Sequence, residues 1–149
     1  MKACSEAANI IEINDVYKSY QVGTNQVPVL EGISLSVEAG EFLSITGPSG
    51  NGKSTLLNMI TGIDRPTQGE VIVNGCPVHQ MSENQLAKWR GENVGIIFQF
   101  FQLLPSLSLL QNVVMPMEFA GKYRRKERQE RALHLLDIVG LADQAHKLP

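Results

Sequence analysis

Apolar and polar residues alternate through the first third of the chain. Residues 11–14 read IEIN, and residues 16–20 and 27–37 carry β-branched and aromatic side chains around Gly23, Pro28 and Gly32. A two-residue period sends successive side chains to opposite faces, so this stretch predicts an antiparallel sheet with tight connections. Ala39-Gly40 reads as a turn, and residues 41–46 (EFLSIT) as a short strand with apolar Phe42, Leu43 and Ile45. The period then changes. Leu56, Leu57, Met59 and Ile60 form an apolar helical face between Lys53 and Thr61, and Gly62 is a helix stop. Residues 64–67 (DRPT) are turn chemistry. Residues 70–73 form another strand, and Asn74-Gly75 is a two-residue hairpin signal. Ser82, with Gln85 three residues on, starts a short helix that carries Leu86 and Trp89 and ends near Gly91. Residues 94–98 (VGIIF) read as an apolar strand. Phe100, Phe101, Leu103, Leu104, Leu107, Leu109 and Leu110 follow, broken only by Gln, Ser and Pro105. Residues 123–139 predict an amphipathic helix with Leu133, Leu136 and Val139 on one face and Gly140 as its C-cap.

Composition narrows the class. The chain has 149 residues, 43% apolar and 19% charged, which excludes wholesale disorder and leaves room for a buried core. The formal charge of −2 argues against a nucleic-acid binder resting on bulk positive charge. The basic run at residues 124–131 (RRKERQER) reads as a solvated helix face, because Glu127 and Glu130 interleave with it. No apolar window is long enough for a membrane helix. The first residues lack the apolar core of a secretory signal. Cys4 and Cys76 are too few for a disulfide framework and read as free thiols in a reducing compartment. His79, His134 and His146 stand at no metal-ligand spacing.

One segment carries distinctive chemistry. Gly47, Pro48, Ser49, Gly50, Asn51, Gly52, Lys53 and Ser54 fit G-x-x-x-x-G-K-[ST], the phosphate-binding P-loop. Backbone N–H groups must converge on phosphate oxygens, so the chain passes through conformations that glycine tolerates. The helix that follows aims its N-terminal N–H groups and positive dipole end at the anion. Lys53 bridges the β- and γ-phosphates as a point charge. The Ser54 hydroxyl is an oxygen ligand for Mg²⁺, and Thr55 is placed near the α-phosphate. An apolar strand before the loop and a helix after it supply the context that the motif requires.

Three separate places resemble the ATP-binding cassette (ABC) ATPases. Lys18-Ser19-Tyr20 resembles that family's A-loop, whose aromatic, here Tyr20, stacks on adenine. VEAGEFLSITGPSGNGKSTLLNMITGIDRPTQGEVIVNG matches the first half of the family's domain almost throughout. VGIIFQ, ending at Gln99, resembles the Q-loop, whose glutamine reaches the Mg²⁺ and attacking-water region. Finer wording, GIDRPT at residues 62–67 and FQLLPSLSLLQNVVMPM at residues 101–117, is similar to the subunits that drive lipoprotein release and macrolide export. The resemblance spans residues 10–149. It implies an α/β P-loop NTPase core of ABC type, incomplete, with an N-terminal antiparallel β-subdomain and the start of an α-helical subdomain. Residues 1–99 would hold the nucleotide-binding core and residues 100–149 the partial helical subdomain. It implies ATP and Mg²⁺ as cofactors, with Lys53 and Gln99 in catalytic roles and Ser54 and Gln99 serving the metal. It also implies a membrane permease bound through the Q-loop and helical region, a dimer of such domains in the complete protein, and a cytoplasmic place at the inner membrane. Residues 98–117 read either as a core helix with its lead-in or as the docking face for that permease.

The same resemblance marks what is missing. The family's signature loop LSGGQ, its Walker B strand with a catalytic glutamate, and its switch histidine have no counterpart; Leu135-Leu136-Asp137 is followed by Ile138. The chain is therefore expected to be a fragment that binds ATP without turning it over. Its P-loop strand is expected to lack neighbours, which would leave the chain alone marginally stable. The competing readings are a non-catalytic docking or regulatory fragment and a P-loop nucleotide kinase.

Overall fold

The computed structural model describes residues 9–100 and 102–149. They form two units, one reaching Ala87 and the other starting at Lys88.

The first unit is built on a long hairpin. Strands β1 (Asn9–Val22) and β2 (Asn25–Glu38) turn at Gly23, and β3 (Gln68–Val73) pairs with the other edge of β1. The short β4 (Cys76–Pro77) completes an antiparallel sheet in the order β2-β1-β3-β4. The Asn74-Gly75 turn has both residues at positive φ, as a two-residue hairpin requires. β1 is central and not flat: its register with both neighbours shifts around Asp15. Gly69 is needed at that irregularity. Its φ is 88°, and a Cβ there would lie 2.3 Å from the Asp15 carbonyl oxygen. Helix α1 (Lys53–Ile60) buries Leu56, Met59 and Ile60, while Ile13, Val16, Val71, Val78 and Leu86 are the most completely buried residues of the strands and the following turn and helix. Fully burying one such side chain stabilises by roughly 1.5–3 kcal/mol. Cys76, expected as a free thiol, is disulfide-bonded instead; Cys4 lies outside the described residues.

Helix α2 (Glu83–Asn93) begins at the expected capping box, with Ser82 N–H donating to Gln85 Oε1 at 2.8 Å. In the second unit, α3 (Leu109–Phe119) opens on a second capping box formed by Ser108 and Gln111. Buried Asn112 fixes the loop before it: Leu104 N–H donates to its Oδ1, and its Nδ2 donates to the Leu104, Leu107 and Ser108 carbonyls. Helix α4 (Arg125–Ile138) packs on α3 through Leu110, Ala132, Leu136 and Ala145. The buried face of α4 is thus the Ala132–Leu136 pair, one helical turn apart. Leu133 and Val139, expected beside Leu136, are 40% and 64% exposed, and Val139 already caps the helix end. The basic run is exposed, with Arg128 paired to Glu118 and Lys126 to Glu130.

Two expected strands do not form. Residues 41–46 and 94–98 enter no ladder among the described residues. Phe42 is 94% exposed and Ile97 wholly so. A short apolar strand gains stability only from neighbours that satisfy its backbone and cover its faces, and the sheet formed here supplies none to either segment.

Gly69 and Gly23 separate backbone strain from collision. Gly23→Ala meets no atom within 4 Å and is expected to cost about 1–2 kcal/mol for its positive φ. Gly69→Ala must also displace the Asp15 backbone and is expected to cost more. Urea unfolding of the two variants, followed by circular dichroism, checks the order.

Candidate functional site

The P-loop runs from the unpaired segment into α1. Gly52 is the N-cap of α1 at φ 76°, and no side chain caps this end. A Cβ on Gly52 would come within 2.9 Å of Leu30 Cδ2 and of the Val29 carbonyl oxygen. Glycine thus lets the loop pack down on β2 while turning into the helix. The first N–H groups of an α-helix have no intrahelical acceptor. The Lys53, Ser54 and Thr55 N–H groups therefore present donors and the positive dipole end together. The Lys53 ammonium stays beside the loop, donating to the Gly47 carbonyl at 2.9 Å and the Pro48 carbonyl at 2.6 Å. Gly47, Pro48, Ser49, Gly50, Asn51 and Ser54 are all exposed. A run of uncapped donors, a cation held only by neutral carbonyls and a hydroxyl suits a polyphosphate. The exposed Ser54 hydroxyl fits the oxygen preference of Mg²⁺.

Tyr20 belongs to the same unit and is joined to this helix. Its hydroxyl donates to Asp64 Oδ2 at 2.7 Å, and the Asp64 N–H donates to the Asn58 carbonyl of α1 at 3.1 Å. Lys18 lies two residues away on β1, so it shares a face with Tyr20. Its ammonium stands 4.8 Å from the Tyr20 ring centroid and donates to Asp64 Oδ1 at 2.6 Å and to the Arg65 carbonyl at 2.7 Å. The Arg65 N–H also donates to Asp64 Oδ1. Burial disfavours ionised Asp64, but the hydrogen bonds from Lys18, Tyr20 and Arg65 and the Lys18 charge outweigh it, so its pKa is lowered. The Tyr20 pKa is raised, first by the hydrogen bond to Asp64 and then by burial and the Asp64 charge, against a lowering contribution from Thr55.

The structure thus ties Tyr20, through Asp64 and the Asn58 carbonyl, to the helix that the P-loop opens. Gln99 lies in the second unit, exposed, just past the unpaired segment 94–98. Asp64 was legible in the sequence only as a turn residue; nothing in a DRPT turn announces a carboxylate that grips a lysine and a tyrosine from β1. No grouping of three or more His, Cys, Asp or Glu side chains suited to a metal occurs among the described residues. A concavity of about 400 Å³ over β1 and β2 shares no residue with the loop.

Comparison with known proteins agrees with this geometry. The ABC transporter family profile matches residues 30–149. An ABC transporter ATP-binding protein of Bacillus subtilis, YvrO, is 45% identical over 140 residues, covering 94% of this chain and 61% of that protein. The lipoprotein-releasing system ATP-binding protein LolD of Acinetobacter baylyi is 44% identical over 133 residues, covering 89% of this chain and 58% of its own length. Among solved structures, the ATP-binding cassette MJ0796, a dimer in a post-hydrolysis state bound to ADP and Pi, superposes with a TM-score of 0.86 at 37% identity, over 93% of this chain and 61% of that one. The chain belongs to the ABC transporter family and has the α/β cassette fold. It spans about three fifths of the length of the relatives it matches.

The lowered Asp64 pKa gives a signed prediction. Its contribution to stability is fully present above the unfolded-chain value of about 4 and lost as pH falls through the lowered native value. Asp64→Asn should therefore be less stable than the parent at pH 7, and the gap should shrink below about pH 4. Denaturant midpoints of both chains across this range measure it.

Proposed function

We propose that this member of the ABC transporter family is the nucleotide-gripping part of an ATPase subunit that drives a separate membrane permease of the exporter or lipoprotein-release type. The observation that carries the reading is the joining of Tyr20 to the P-loop helix through Asp64, which accepts from the Tyr20 hydroxyl and donates its N–H to the Asn58 carbonyl of α1. It ties an aromatic ring of β1 to the short helix that the phosphate loop opens, as an adenine nucleotide requires. In this reading Tyr20 stacks on adenine, and the N–H groups from Gly47 to Thr55 hold the phosphates. Lys53 leaves its loop carbonyls for the β- and γ-oxygens, exchanging neutral acceptors for charged ones. Ser54 would hold Mg²⁺, which supplies neutralisation of charge on the phosphates when bound. Residues 98–117 and α3 would face the permease at the cytoplasmic side of the inner membrane. No helix among the described residues is long and apolar enough to cross a membrane itself. The similarity to LolD, an ATP-binding protein of a lipoprotein-releasing system, favours that export class over the kinase reading.

Phosphoryl transfer to water needs a positioned water and charge stabilisation on both sides of the phosphorus. The sequence carries no Asp-Glu pair after an apolar strand. The chain is therefore expected to bind MgATP and leave it intact. Calorimetric titration should detect MgATP binding, weakened about 10–100-fold in Lys53→Ala by the loss of charged hydrogen bonds. Phosphate release should stay at the background of the Lys53→Ala control. Turnover that the control abolishes would instead place a catalytic base within these 149 residues.

A further inference from the structure

We propose that Asp64 is a positioning residue for the Tyr20 ring, fixing its plane and its distance from the phosphate loop. This rests on the reading of Tyr20 as the base platform. A tyrosine side chain has two rotatable bonds, and Tyr20, near the end of β1, is 38% exposed. Packing alone covers only part of the ring. Asp64 restrains it at the far end of the ring, where the hydroxyl donates to Oδ2. The same carboxylate holds Lys18, whose side chain is only 11% exposed. Lys18 occupies one face of the ring, so a stacking base is directed to the other.

Asp64 is itself rigidly held. The Arg65 N–H donates to Oδ1, and the Ile63 and Asp64 N–H groups both donate to the Asn58 carbonyl of α1. Thr67 N–H donates to the Tyr17 carbonyl of β1, and Ser19 N–H donates to Thr67 Oγ1. An unbroken series of hydrogen bonds therefore runs from the ring, through Asp64 and its turn, into the helix whose other end receives the phosphates. The spacing between base and phosphate sites is set before any ligand arrives, which spares the ordering cost of the ring.

The test separates base binding from phosphate binding by titrating MgADP and Mg-pyrophosphate into the chain and four variants. Tyr20→Phe keeps the ring and loses its anchor; Asp64→Asn keeps the size and loses the charge that holds Lys18. Each is expected to weaken MgADP about 3–10-fold, the scale of one side chain's lost ordering, with pyrophosphate affinity unchanged. In a Tyr20→Ala background, Asp64→Asn should add no further loss, because the ring it positions is gone. Asp64→Asn weakening both ligands equally would make Asp64 a structural residue and overturn the proposal. So would a Tyr20→Phe chain, in which Asp64 and Lys18 stay paired, that binds MgADP like the parent. A Tyr20→Ala chain with an unchanged ratio of the two affinities would overturn the base platform itself, and the proposal with it.

Discussion

Helix α1 is the constraint on which the first unit depends. Its back face places Leu56, Met59 and Ile60 in the core, and its front end presents the P-loop. These two demands are coupled. The dipole and uncapped N–H groups bind an anion usefully only if the helix cannot tilt or slide, and burial of its apolar face is what prevents that. Gly52 completes the arrangement by letting the loop approach Val29 and Leu30 of β2 more closely than any side chain would allow. The phosphate cradle is therefore an outgrowth of the core.

The antiparallel sheet and the unpaired segments express one rule in opposite ways. β1 finds partners on both edges, so its backbone is satisfied and its buried side chains are covered. Residues 41–46 and 94–98 have the same apolar, β-branched composition, yet remain irregular and expose Phe42 and Ile97. Composition supplies the tendency to form a strand; a neighbour supplies the strand. Such bare apolar backbone is a ready template for strand addition. About two fifths of the relatives' own length lies outside the part that this chain matches.

How much could be read in advance follows from the range of each interaction. Local signals held: the alternation of β1, the Asn74-Gly75 turn, the Ser82 capping box and the Gly62 stop all depend on residues within one or two turns of chain. The P-loop was legible for the same reason, since a phosphate cradle is made by one continuous segment. The inward face of α4 was misassigned because Leu133 and Leu136 are both good helix residues. Only the position of α3 decides that Ala132 and Leu136 turn inward. Asn112 and Asp64 were missed because their partners are set by tertiary placement; Asp64 reaches back across 46 positions to Lys18 and 44 to Tyr20.

Lys53 and Lys18 show how environment divides labour between identical residues. Both are lysines facing loop or turn carbonyls. Lys18 meets a carboxylate as well, inside a part-buried pocket where the pair is weakly screened, and it is consequently fixed. Lys53 meets only the neutral Gly47 and Pro48 carbonyls. A neutral carbonyl carries no net charge, so it holds an ammonium less strongly than a carboxylate does. In the proposed reading, a phosphate arriving at the loop would therefore draw Lys53 from its partners and leave Lys18 on Asp64. The immobile lysine would then keep the Tyr20 ring in register while the exchangeable one follows the ligand's charge.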